Sequence, residues 1–164
     1  MIIHLPTVCP DPMNTVITLQ LKDINYKTDK YRLLQPNEKN ILLTFDAELS
    51  PGLSSGDGKV YRNFIQNWTR LDQTITWNLR LLQPATFTIS LDYNKENNAD
   101  SGTVILDING KEFKLGYDGE PVGNSKTIHV TTTELSKGEH TIILKGERFE
   151  GKQFLRPMQL TIRP

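Results

Sequence analysis

The sequence is poor in cysteine, in charge of either net sign and in long apolar runs, and each shortage removes a class of function. A single cysteine, Cys9, cannot close an intramolecular disulfide, so the fold rests on its core alone. No Cys/His pair stands at a recognisable spacing, and thiol chemistry is not implied. Lys plus Arg and Asp plus Glu each number 19, a formal net charge of +0. With no basic excess to neutralise a phosphate backbone, nucleic-acid binding is disfavoured. No stretch of about 18 apolar residues occurs, so no membrane-spanning helix is expected. Met1-Ile2-Ile3-His4 has neither a basic n-region nor an apolar h-region, and no signal peptide is expected in the sequence as given. A fragment cut from a larger secreted chain would open the same way. The 164 residues fit one globular domain and fall short of the about 250 that a (β/α)₈ barrel needs.

Helical periodicity is almost absent, whereas alternation with a period of two recurs along most of the chain, the mark of strands with one buried face. In Ile75-Thr76-Trp77-Asn78-Leu79-Arg80-Leu81 the apolar residues point one way and the polar ones the other. Pro84 breaks the run, and Phe87, Ile89, Leu91 and Tyr93 form a second one, read as a neighbouring antiparallel strand. Thr103 to Ile108 stops at Asn109-Gly110, a pair that tolerates the positive φ angles of a type I′ turn, so Lys111 to Leu115 is expected to return beside it. Further strands are expected at Val16–Leu21, Ile41–Phe45, Thr127–Val130, Glu139–Lys145 and Met158–Arg163. Eight or more short strands separated by Gly, Pro, Asn and Asp predict an all-β, two-sheet antiparallel sandwich, with the strand count favouring a jelly roll over an immunoglobulin-like topology. Residues 26–39 are polar with little periodicity and read as a connector, which places a boundary near Asn40.

The chemistry of catalysis is thin. No G-x-S-x-G elbow is present, Gly56-Asp57-Gly58 leads into no phosphate-binding helix, and His4, His129 and His140 form no metal-ligand array. His140 reads as a strand residue with a satisfied ring. Carboxylate pairs such as Asp46 with Glu48, or Asp57 with Asp72, are what any acidic surface offers, and no catalytic residue is assigned. A structural Ca²⁺ is the one metal role left open, with Asp46, Glu48 and Asp92 as available oxygen donors. The aromatics say more, because a pyranose ring offers an apolar C–H face to Trp or Tyr while its hydroxyls need polar partners. Trp68 lies in the polar run Asn63–Arg70, so a stacking platform at Trp68 with Asn67 and Arg70 beside it is one reading, and packing over the end of the core is the other. Tyr61, Tyr93 and Tyr117 are further candidates to line a groove, and Trp77, in phase with Ile75 and Leu79, reads as core.

Two stretches are familiar. His4-Leu5-Pro6, Pro10-Asp11-Pro12 and Val16-Ile17-Thr18-Leu19 resemble the strand that ends the catalytic region of α-L-fucosidases. Ile41-Leu42-Leu43, Asp46-Ala47, Asn67-Trp68, Asp72, Ile75-Thr76-Trp77, Pro84 and Phe87-Thr88-Ile89, with Gly138-Glu139-His140-Thr141-Ile142 later, are similar to the carbohydrate-binding-module-like sandwich appended to many bacterial members of that family. Pro84-Ala85-Thr86 departs from the usual proline-glycine turn, and Asp118–Ser125 replaces a tryptophan-bearing stretch.

The resemblance implies that residues 1–39 are a strand pair and connector ending a catalytic region and residues 40–164 a galactose-binding-like jelly roll. It implies a non-catalytic C-terminal accessory domain of an α-L-fucosidase-like glycoside hydrolase, supporting the barrel of its own parent chain and offering a site for fucosylated or other glycan through Trp68, Tyr61, Asn67, Arg70 and Tyr117. The alternative is a purely structural sandwich that binds no sugar. No cofactor beyond the structural Ca²⁺ is implied, and the location implied is periplasmic or extracellular.

Overall fold

The computed structural model describes residues 18, 29–59, 62–118 and 125–164. The expected strand at 16–21, the fucosidase-like opening, His4, Cys9 and Tyr61 therefore lie outside the described residues, apart from Thr18. The strands in chain order are β1 (Arg32–Leu33), β2 (Asn40–Leu43), β3 (Glu48–Leu49), β4 (Ser54–Ser55), β5 (Ile65–Gln66), β6 (Thr74–Leu81), β7 (Ala85–Asn94), β8 (Ser101–Ile108), β9 (Lys111–Tyr117), β10 (Lys126–Leu135), β11 (Gly138–Glu150) and β12 (Arg156–Arg163), with one 3₁₀ turn at Thr44–Asp46.

Two sheets form a sandwich, as the alternation requires. One has the order β1-β6-β11-β8-β9 with β3 also on β6, and the other the order β10-β7-β12-β2. Pairing is antiparallel throughout except between β1 and β6, which run parallel. Residues 75, 77, 79 and 81 of β6 and 87, 89, 91 and 93 of β7 all face one interior, joined there by Val104, Leu106, Ile142, Leu144, Leu160 and Ile162. Trp77 is core as expected, its indole N–H donating to the Leu43 carbonyl at 3.0 Å.

Three expectations need correction. β6 and β7 are consecutive but do not pair: β6 joins β11 and β7 joins β10 and β12, so the short arch through Leu82 and Pro84 crosses from one sheet to the other. Both strands still bury their apolar sets, because facing sheets and neighbouring strands satisfy the same alternation. The second concerns Asn40, since the sandwich has begun by Arg32–Leu34. Leu34 is buried in the core and its N–H bonds the Arg80 carbonyl at 2.9 Å. The third is local: the run at 41–45 ends as a strand at Leu43 and coils into the 3₁₀ turn, with Phe45 exposed.

The β8–β9 hairpin forms where Asn109-Gly110 placed it. Asn109 has φ +53° and Gly110 φ +88°, both in the left-handed region that a type I′ turn demands.

Candidate functional site

A concavity lies at the end of the six-stranded sheet where β8, β9 and β11 run side by side. It has a volume of about 530 Å³ and is lined by residues 101–103, 116–118 and 148–150. Register builds it. Arg148 pairs with Thr103 and Thr103 with Gly116, forming one outward row. Glu150 pairs with Ser101 in the next outward row. Between these rows Phe149, Gly102 and Tyr117 turn inward. A bulge between Gly146 and Arg148 resets the phase of β11, so that Phe149 points in while Arg148 and Glu150 face water.

Two glycines shape this groove for different reasons. A Cβ on Gly102 would stand 2.4 Å from the Arg148 carbonyl oxygen and 2.8 Å from the Tyr117 hydroxyl, so only glycine lets β11 approach β8 here. A Cβ on Gly116 would meet nothing within 4 Å, and the missing side chain leaves the floor bare.

Charge sorts along the same face. Farther along it Lys145 bonds Glu112 at 2.6 Å and lies 3.7 Å from Asp107, and Lys114 pairs with Glu147. At the groove, Arg148, Asp118 and Glu150 have no ion-pair partner among the described residues. Beneath them Tyr117 is buried, its ring edge-on to Tyr93 at 6.3 Å. Its hydroxyl meets no hydrogen-bond partner of normal geometry among the described residues. Burial pushes this phenol well above its ordinary range, opposed by the Leu155 main chain and reinforced by Asp100 and Tyr93.

The sequence-predicted residues are dispersed. Trp68 is 1% exposed and its ring packs on Phe154 at a centroid distance of 4.9 Å. The expectation of a stacking platform at Trp68 is therefore corrected. The left-handed backbone at Asn67 (φ +63°) turns the chain inward, the Phe154 N–H ties to the Trp68 carbonyl at 2.8 Å, and buried Gln73 accepts from the Thr69 and Arg70 N–H groups at 3.0 and 3.1 Å. Asn67 is exposed and donates to Ser54 Oγ at 3.0 Å. Arg70 is exposed, with its Nε on Asp72 at 2.9 Å, a bond that holds the Asp72 carboxyl below its usual range. These two belong to the paired loops around Pro51 and Gln73, whereas Tyr117 alone of the described candidates lines the groove.

Arg148, Glu150, Ser101, Thr103 and the two glycines were not singled out from the sequence. Glycine inside an otherwise alternating strand, at 102 and again at 116, was the signal available. The carboxylates named for calcium are engaged elsewhere, Asp46 with Arg32, Glu48 with the Asn78 amide at 2.8 Å and Asp92 with Gln159 at 2.7 Å. No metal-binding cluster occurs among the described residues.

A second hollow, lined by Pro84, Asn109, Glu134, Leu135, Ser136 and His140, has its chemistry closed. Asn109 Oδ1 accepts from the Thr141 N–H at 3.0 Å, which turns the Asn109 amide nitrogen toward His140 Nδ1 at 2.8 Å. His140 must then carry its proton on Nε2, where it donates to the Ser136 carbonyl at 2.8 Å. With both ring nitrogens used, His140 is the satisfied strand residue expected.

Residues 51–163 match the family described as "Domain of unknown function (DUF5077)". The chain belongs to this family. No curated protein matches the DUF5077 chain. Among solved structures it is similar to a family 35 carbohydrate-binding module from Clostridium thermocellum, with TM-score 0.60 and 11% identity over 76% of this chain and 97% of that one. The family 35 module of Abf62 from Cellvibrio japonicus gives TM-score 0.62 and 13% identity, over 77% and 94% of the two chains. The Podospora anserina β-(1,4)-mannanase carrying modules of families GH26 and CBM35 gives 0.63 and 13% over 79% of this chain, which spans 28% of that enzyme. The DUF5077 chain thus has the jelly-roll fold of carbohydrate-binding modules that accompany glycoside hydrolases.

Proposed function

We propose that the chain is a non-catalytic accessory domain that binds glycan in the β8–β9–β11 groove, attached to a glycoside hydrolase of the α-L-fucosidase type. The observation that carries the reading is the groove's bare glycine floor beneath three charged side chains that have no ion-pair partner among the described residues, on a sheet face where Lys114 and Lys145 are paired. A saccharide presents many hydroxyls, each needing a donor or acceptor, and Arg148, Asp118, Glu150, Ser101 and Thr103 supply both kinds. Because the core has taken Trp68, binding there is dominated by hydrogen bonds and is weak. The carboxylates act as acceptors and not as an acid/base pair. The fucosidase parent and a periplasmic or extracellular bacterial setting rest on the sequence resemblance alone.

The burial of Trp68 favours a second reading, a purely structural support for a catalytic barrel. Calorimetric titration with L-fucose, fucosylated oligosaccharides, mannan and galactan separates the two. Glycan binding predicts saturable heat with at least one sugar, lost in Gly116→Leu and reduced about tenfold in Arg148→Ala, each equal in thermal stability to the parent. Silence with every sugar favours the structural support.

A further inference from the structure

The loop between β7 and β8 buries a full positive charge. Lys95 is 3% exposed and Asp100 1%. An ammonium group leaves water only where fixed dipoles replace its hydration. Here Lys95 Nζ donates to the Asn98 carbonyl at 2.9 Å and to the Asp100 carbonyl at 2.7 Å, both from the loop that Lys95 itself opens. Convergent carbonyl oxygens are what proteins use to hold small hard cations. The Asp100 carboxylate makes no ion pair with Lys95 and instead braces the loop, held on both oxygens. Oδ1 accepts from the Lys152 N–H at 3.1 Å, and Oδ2 from the Asn97 N–H at 3.2 Å and the Asn97 amide at 3.4 Å. Gly151 (φ +108°) brings the β11–β12 turn against it, so close that a Cβ would stand 2.2 Å from Oδ1. Glu96, next along the loop, bonds Gln153 at 2.6 Å and Arg156 at 2.9 Å. Asp100 leads directly into Ser101 and Gly102, one wall of the groove.

We propose that the 95–100 loop is a cation site whose resident cation is the chain's own Lys95 ammonium, which sets the Ser101–Gly102 wall without a bound metal. The site's chemistry is that of a primary ammonium, and removing the side chain opens it to small primary alkylammonium ions. This holds whether or not the groove takes glycan.

The full chain is melted as wild type, Lys95→Ala and Lys95→Met, with hydrogen exchange read at residues 97–102. Both variants melt at least about 5 °C lower, and amides at 97–102 exchange about tenfold faster. Added n-propylammonium restores at least half of the loss in Lys95→Ala and nothing in Lys95→Met, whose side chain fills the space without charge. Tetramethylammonium, which has no N–H to donate, restores neither at equal ionic strength. Wild type melts at the same temperature with Ca²⁺ or with a chelator. The assignment fails if Lys95→Met matches wild type in melting and exchange, if tetramethylammonium rescues as well as propylammonium, or if Ca²⁺ raises the wild-type melting temperature. Should both variants be unfolded, NMR of ¹⁵N-lysine wild type decides. A slowly exchanging Lys95 ammonium coupled to the Asn98 and Asp100 carbonyls supports the site, and one exchanging as fast as surface lysines overturns it.

Discussion

Two buried aromatics with polar tips, Trp68 and Tyr117, respond differently to mutation because of what their rings touch. Trp68 closes the end of the core against Phe154, which itself packs on Phe149 at 4.6 Å. Trp68→Ala leaves a void lined by these rings and lowers unfolding free energy by about 3–5 kcal/mol in urea titration. At Tyr117 the hydroxyl meets no hydrogen-bond partner of normal geometry among the described residues, so at neutral pH Tyr117→Phe changes stability by less than about 1 kcal/mol. Alkali separates the two chains. The folded phenol titrates above its unfolded value, so its contribution is intact below about pH 10 and is lost as pH rises from there toward the folded value, by up to about 1.4 kcal/mol per pH unit. Denaturation series from pH 9 to 11 are expected to show Tyr117→Phe gaining on wild type with rising pH, and parallel curves would contradict the buried hydroxyl. From the sequence, the apolar phase of Trp77 was plain. Trp68 was undecidable, because its polar neighbours describe the loop backbone and not the direction the indole takes.

Among the elements, the β8–β9 hairpin illustrates a turn with two jobs. Asn109 supplies the left-handed backbone and, through its amide, joins the turn to β11 at His140 and Thr141. Asn109→Gly keeps the first job and loses the second, costing about 1–2 kcal/mol, and Asn109→Ala loses both, costing roughly 1 kcal/mol more. Equal melting temperatures for the two variants would show that the left-handed backbone is not strained. The bulged end of β11 is equally specific, since a Cβ on Gly146 would lie 2.2 Å from the buried Phe154 ring. Gly146→Ala is expected to destabilise by about 1–3 kcal/mol on thermal melting through overpacking. The turn was legible because Asn-Gly is a local instruction. The groove was not, because Arg148, Thr103 and Gly116 become neighbours only through cross-strand register and a bulge that no local pattern announces.

Over the whole molecule, the crossing of consecutive strands between sheets makes most pairings distant in sequence, β12 with β2 and β11 with β6 among them. Such topology predicts folding in roughly milliseconds to seconds, measurable by stopped-flow refolding. It also ties the sandwich to residues before the expected boundary. A chain shortened to begin at Asn40 loses β1 and the buried Leu34, and is expected to be about 2–5 kcal/mol less stable than one beginning at Asp29, as read from urea midpoints. Equal midpoints would restore the boundary at Asn40. The sequence by itself determined that the chain is all-β, which residues of each long strand face inward, and where the type I′ turn falls, since alternation and turn chemistry act between near neighbours. Tertiary structure alone decided which strands share a sheet, that Trp68 points into the core, and that Arg148, Thr103 and Gly116 line one row of the groove. Those outcomes depend on contacts between distant segments, whose choice is set by packing the interior and satisfying its buried polar groups.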